Sequence, residues 1–140
     1  MANITKNDFW HALTEPEPII KIYPDGIKIY KWYNNKGKLH RDNDLPAQIW
    51  YKEDVTLIEK HWFQNGKKHR IGGPATIWYD RKGNIEEECW YQYGKKHRIN
   101  GPAEIWYYED GSIGGKYWHL NGEEYNENDY IQKLKEMGHA

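Results

Sequence analysis

Three histidine–arginine pairs, His40-Arg41, His69-Arg70 and His97-Arg98, are the residues whose type and spacing first invite a chemical reading. Imidazoles recurring at regular intervals raise the question of a shared metal. Geometry speaks against it. Equivalent positions in successive hairpins lie two strands apart, roughly 9–10 Å, whereas each zinc ligand sits ~2 Å from its ion. No metal site and no cofactor is expected. The alternative is structural: each pair closes the loop before a Pro-Ala step, with the arginine bonding carbonyls or a neighbouring acid.

Two of the pairs end Gly-Lys-Lys-His-Arg runs at 66–70 and 94–98. Stacked at one edge, Lys67, Lys68, His69, Arg70, Lys95, Lys96, His97 and Arg98 would form a basic stripe, extended by Lys36, Lys38 and Arg41. Such a stripe suits phosphate or an acidic partner. The competing reading is a solvated turn edge, balanced by Glu86-Glu87-Glu88 and Glu109-Asp110.

The tryptophans are a sharper signal. Trp50, Trp78 and Trp106 recur at intervals of 28, and each is followed twelve residues later by Trp62, Trp90 and Trp118. Strand alternation puts Ala75, Ile77 and Tyr79 on one face and Thr76 with Trp78 on the other. Thr76 corresponds to Gln48 and Glu104, so the Trp78 face is expected to be partly wet. A tight two-residue turn would set Trp90 on the opposite face from Trp78; an odd-length bulged loop would unite them. The six tryptophans are thus candidates for an aromatic recognition surface. They are equally what a single sheet without a second layer would use as its core.

Nothing points to catalysis. The chain has no Gly-rich phosphate loop, nucleophile elbow or helical His-Glu-x-x-His. Cys89 lies in an expected strand beside Glu88, where a carboxylate raises a thiol pKa rather than activating it. Glu87 and Glu88 are adjacent in sequence and point to opposite strand faces, a poor start for paired acid–base work.

These residues must be positioned by a repeat. Pro46, Pro74 and Pro102 open Pro-Ala steps 28 residues apart, and Trp62, Trp90 and Trp118 keep that period. A fixed period of this size indicates stacked units. Residues 7–13 are expected to make one or two helical turns, and Pro16 and Pro18 mark the end of a cap and linker over 1–18. Ile19–Tyr30 reads as a first hairpin about Pro24-Asp25-Gly26. Ala75–Tyr79, a turn at Asp80–Gly83 and a return strand over Asn84–Tyr91 make the next kind of unit, and Gln92-Tyr93-Gly94 turns again. The expected fold is all-β: an elongated single-layer antiparallel meander of β-hairpins over residues 19–125. A capping helix follows over 126–140, with Asn126 or Asn128 as N-cap, Gly138 at its end, and an apolar stripe of Tyr130, Ile131, Leu134 and Met137.

Composition fits this plan. The chain has 140 residues, eight Trp, twelve Tyr and one Cys, and a mean hydropathy of −1.09. Its core must be aromatic and thin. One cysteine excludes an intrachain disulfide and favours a reducing compartment. Residues 1–14 lack the apolar run of a signal peptide, and no stretch approaches a membrane span. A cytoplasmic protein that does not enter membranes is expected. The net charge is −1, with +4 in residues 19–120, far from the face of a nucleic-acid binder.

The Trp-Tyr-x-x-Gly-Lys-Lys-His pattern, the Tyr-x-x-x-Gly turns, and the copies at 38–47 and 97–103 resemble MORN-variant repeats of the MORN-repeat superfamily. That resemblance covers about residues 19–125, is carried by architecture, and implies a curved antiparallel sheet and a bacteriophage or large-DNA-virus origin. The period of 28 exceeds the ~23 of ordinary MORN units. The function expected is a non-enzymatic binding module that engages a protein, a host protein among the candidates, through the aromatic face or the basic edge. A nucleotide- or small-ligand-binding sponge and a structural virion or self-assembling subunit joined at sheet edges are the alternatives.

Overall fold

The computed structural model describes residues 15–139; the helical turns expected over residues 7–13 lie outside them. In chain order the strands are β1 (Ile19–Ile22), β2 (Lys28–Lys31), β3 (Gln48–Tyr51), β4 (Leu57–His61), β5 (Phe63–Gln64), β6 (Lys67–Lys68) and β7 (Thr76–Tyr79). They continue with β8 (Ile85–Cys89), β9 (Tyr91–Gln92), β10 (Lys95–Lys96), β11 (Glu104–Tyr107), β12 (Ile113–Leu120) and β13 (Glu123–Tyr125), and a helix α1 (Glu127–Glu136) closes the chain. Nine strands form one open antiparallel sheet in the order β1-β2-β3-β4-β7-β8-β11-β12-β13. The expected all-β hairpin array is therefore present. Between its main hairpins the chain steps out into small ribbons, β5–β6 and β9–β10. A bridge between Tyr33 and Leu39 marks the first, incomplete copy. The return strand expected over Asn84–Tyr91 is split accordingly: it stops at Cys89, and the Trp90 N–H turns to the Ala103 carbonyl at 2.7 Å.

The main hairpins explain where the side chains point. Asp80 N–H bonds the Asn84 carbonyl at 2.8 Å around a three-residue loop, and Tyr79 pairs with Ile85. One step further, Trp78 pairs with Glu87, so Glu86 is an extra residue on the return strand. The same slip occurs at Trp50/Tyr51 and at Trp106/Tyr107. The loop alone would have set Trp90 beside Trp78. The bulge inserts one residue, and because side chains alternate with period two, the rest of the return strand turns over. Trp62, Trp90 and Trp118 therefore face away from Trp50, Trp78 and Trp106.

The hydrophobic core follows the Ile77 face. Ile49, Ile77 and Ile105 are buried there in successive repeats, as are Ala47, Ala75 and Ala103. Trp62 packs on Ala75 and Ile77, with Tyr79 and Tyr91 against them. Ala47, Ala75 and Ala103 are 0% exposed, so close packing leaves no room for a longer side chain after each proline. On the other face, expected to be partly wet, Trp78 is half-buried, while Thr76 is 0% exposed; neighbouring strands cover its small side chain from both sides.

Helix α1 starts on Asn126, whose side chain accepts from the Asp129 N–H. It ends with Gly138 at φ 87, with N–H groups of Gly138 and His139 bonded to Lys135 and Leu134 carbonyls at 3.0 and 2.8 Å. Its expected apolar stripe is only partly used. Tyr130 is buried, while Ile131 and Met137 stay 45% and 40% exposed. What seats the helix is the Tyr130 hydroxyl, which donates to the Arg98 carbonyl at 2.7 Å and accepts from the Gly101 N–H at 3.2 Å.

Candidate binding face

The ribbon edge follows one plan in each repeat. Arg41, Arg70 and Arg98 lie over the rings of Trp32, Trp62 and Trp90, at 3.7, 3.9 and 3.8 Å from the ring centres. Each guanidinium also donates to a proline carbonyl, of Pro46, Pro74 and Pro102, at 3.2, 3.1 and 3.0 Å. Glu15 and Asp44 pair with Arg41 and Arg70, whereas Arg98 meets the Asn100 amide oxygen. The histidines act between repeats. His40, His69 and His97 each accept, through Nδ1, the backbone N–H of Asn65, Tyr93 and Asn121 at 3.1, 3.0 and 3.0 Å. Those residues sit in tight turns with positive φ, followed by Gly66, Gly94 and Gly122. The glycine N–H groups bond the carbonyls of Leu39, Lys68 and Lys96 at 2.8, 2.8 and 2.9 Å.

Most side chains of the expected basic stripe have partners within the chain. His69, Arg70, His97 and Arg98 are internal fastenings. Lys68 lies over the Tyr91 ring at 5.0 Å, and Lys96 forms an ion pair with Glu104. Lys67 and Lys95 remain exposed, their stems lying along Gly94 and Gly122. Trp62 and Trp90, capped by arginine, belong to the same framework. Trp118 is half-buried on their side of the sheet, opposite Tyr125.

The Trp78 face is different. Strand register sets Ile29, Trp50, Glu59, Trp78, Glu87, Trp106 and Gly115 in one row across the sheet. Beside it runs a second row of Gln48, His61, Thr76, Cys89, Glu104 and Tyr117. Trp50, Trp78 and Trp106 are each half-buried. The Trp50 Nε1 is buried with no hydrogen-bond partner among the described residues. His61 meets Trp78 edge-on at 5.6 Å. Trp106 lies flat on Gly114 and Gly115: a Cβ on either would fall 2.1 Å from the indole.

Two carboxylates stand between these indoles. Glu59 bonds His61 Nε2 at 2.7 Å. Burial, opposed by Glu59, lowers the His61 pKa, so the ring is neutral at pH 7 and leaves the carboxylate charge uncompensated. Glu87 accepts from the Cys89 thiol at 3.6 Å. Burial first, then the Glu104 and Glu87 carboxylates, push that thiol up to about 12, so it stays protonated. No lysine or arginine among the described residues pairs with Glu59 or Glu87. The donor atoms of Glu87, Cys89 and Glu104 all lie within 4.8 Å of one another; Lys96 already takes the cationic place beside Glu104.

Sequence reasoning found three of the tryptophans on this face and missed both glutamates. The signal that places them there is the bulge, which shifts Glu87 into register with Trp78. Among the described residues no helix is long and apolar enough to cross a membrane. No protein-family model matches the chain, and no curated protein matches it.

Proposed function

We propose that this chain is a non-catalytic, MORN-like binding module that holds a cationic segment of a protein partner on its Trp50–Glu59–Trp78–Glu87–Trp106 row. The observation that carries this reading is the pair of half-buried carboxylates standing between indoles without a cation of their own. An indole face and a carboxylate together suit a guanidinium or ammonium. The ring contributes about 0.5–2 kcal/mol depending on desolvation, and the carboxylate adds a charge-assisted hydrogen bond. The repeat sets a period as well. Successive slots are two strands apart, roughly 10 Å, which matches three residues of an extended peptide at ~3.3 Å each. Arginine or lysine at every third position is the matching sequence.

The test is tryptophan-fluorescence titration with short peptides carrying arginine at every third or every second residue. The third-residue peptide is expected to bind best. Glu59→Gln with Glu87→Gln should weaken it about tenfold or more while the circular-dichroism spectrum stays that of the parent. Unchanged affinity of the third-residue peptide for the glutamine variant would sink the proposal, as would equal affinity of both peptides for the parent protein, or loss of the fold on Trp78→Ala, which would make that ring core.

A further inference from the structure

On the opposite side of the sheet, the first repeat carries a trough of about 460 Å³ lined by an aromatic floor. Trp32 and Ile49 are buried at its base. Tyr30 stacks near Trp32 at 6.4 Å and meets Tyr51 edge-on at 5.6 Å. Lys28 and Val55 stand at its rim.

Val55 is the informative residue. The hairpin turns at Gly26, Gly83 and Gly111 share one backbone plan, closed by the same pair of hydrogen bonds that join Lys52 to Thr56 and Val55 to Lys52. In those three turns glycine takes the left-handed position, at φ 86, 83 and 85; here valine takes it, at φ 62. A β-branched side chain is strained there by roughly 1–3 kcal/mol. Tyr93 is also at positive φ, but its ring lies 4.6 Å from His69. Val55 has no comparable packing and is 73% exposed. It lends the trough an apolar wall that glycine cannot. Charge adds a second constraint. Arg41 is neutralised by Glu15, whereas Lys28 has no ion-pair partner among the described residues.

We propose that this trough is a second binding site, independent of the tryptophan–glutamate row, for an aromatic ring bearing an anionic group. The ring lies on Tyr30 and Tyr51 against Val55, above the buried Trp32, and the anion meets Lys28.

Anilinonaphthalene sulfonate is the probe, titrated into the full chain. The expected result is saturable binding at one equivalent. Val55→Gly relieves the strain, so it should raise the melting temperature by roughly 2–4 °C and weaken the probe about tenfold. Lys28→Gln should weaken the sulfonate about tenfold while leaving uncharged N-phenyl-1-naphthylamine within about twofold. Because Val55→Gly is expected to stabilise the fold, weaker binding cannot be put down to unfolding. Non-saturating fluorescence overturns the proposal. So does a Val55→Gly protein that melts higher yet binds the probe as before, or one whose melting point does not move.

Discussion

The ribbon edge and the Trp78 face lie on one sheet and repeat with one period, yet they vary differently from copy to copy. At the edge, arginine over tryptophan, arginine to a proline carbonyl and histidine to a turn N–H recur three times with nearly the same distances. On the face, one register position holds Lys31, His61, Cys89 and Tyr117 in turn, and its neighbour holds Ile29, Glu59, Glu87 and Gly115. The edge satisfies backbone groups that every repeat must satisfy, so its chemistry cannot drift. The face has no such obligation. That freedom is what a recognition surface needs, and it is why the face, not the basic runs, carries the functional reading.

This contrast breaks most visibly at the edge. Arg70→Ala removes the cover of Trp62 and the donors to Pro74 and Asp44. A loss of about 2–4 kcal/mol is expected, mostly from the orphaned carbonyl and the lost ring contact. A urea midpoint unmoved by this change would end the account of the edge as framework.

Gly115→Ala probes the point where the face is built rather than free. The new Cβ meets the Trp106 indole, so the ring must leave its seat. We expect a loss of about 1–3 kcal/mol and a red-shifted tryptophan emission. Alanine tolerated without either change would mean that Trp106 does not lie on the glycines in solution.

The smallest effect is set by pH. At the His97 lock, Nδ1 accepts the Asn121 N–H, so protonation would put a donor against a donor. For His97, burial and then nearby His139 also lower the pKa from its ordinary 6.5. A base whose pKa falls on folding is protonated more readily when unfolded. Its contribution is therefore complete above pH 6.5 and lost as pH falls below that value towards the folded pKa. Each lock is worth about 0.5–1.5 kcal/mol. Urea midpoints at neutral and mildly acid pH should show the slope, and His97→Gln should flatten part of it. Identical midpoints for the parent protein at both pH values would contradict the His97 lock.

Much of this architecture was legible in the residues. The 28-residue period, the turns at Pro24-Asp25-Gly26 and Asp80–Gly83, the strand alternation at Ala75–Tyr79, an asparagine cap at 126 or 128 and the Gly138 stop are local signals, and local backbone preference decided them. Arginine bonding a carbonyl or an acid was equally readable, because a guanidinium near a Pro-Ala step has few other partners. The site was less legible. Trp78 and Trp90 look equivalent along the chain, and a polar Thr76 says only that its face is partly wet. A one-residue bulge separates the two rings, and strand neighbours bury the threonine.

The sequence by itself determined the kind of unit, its period, its turns and the thinness of its core, since each depends on residues close together in the chain. Only the tertiary structure decided which tryptophans share a face, that Glu59 and Glu87 stand between them, and that Val55 walls a trough. Those outcomes depend on strand register. A shift of one residue in register inverts every side chain beyond it, and a bulge stabilised by contacts across the sheet leaves little trace in the chain that contains it.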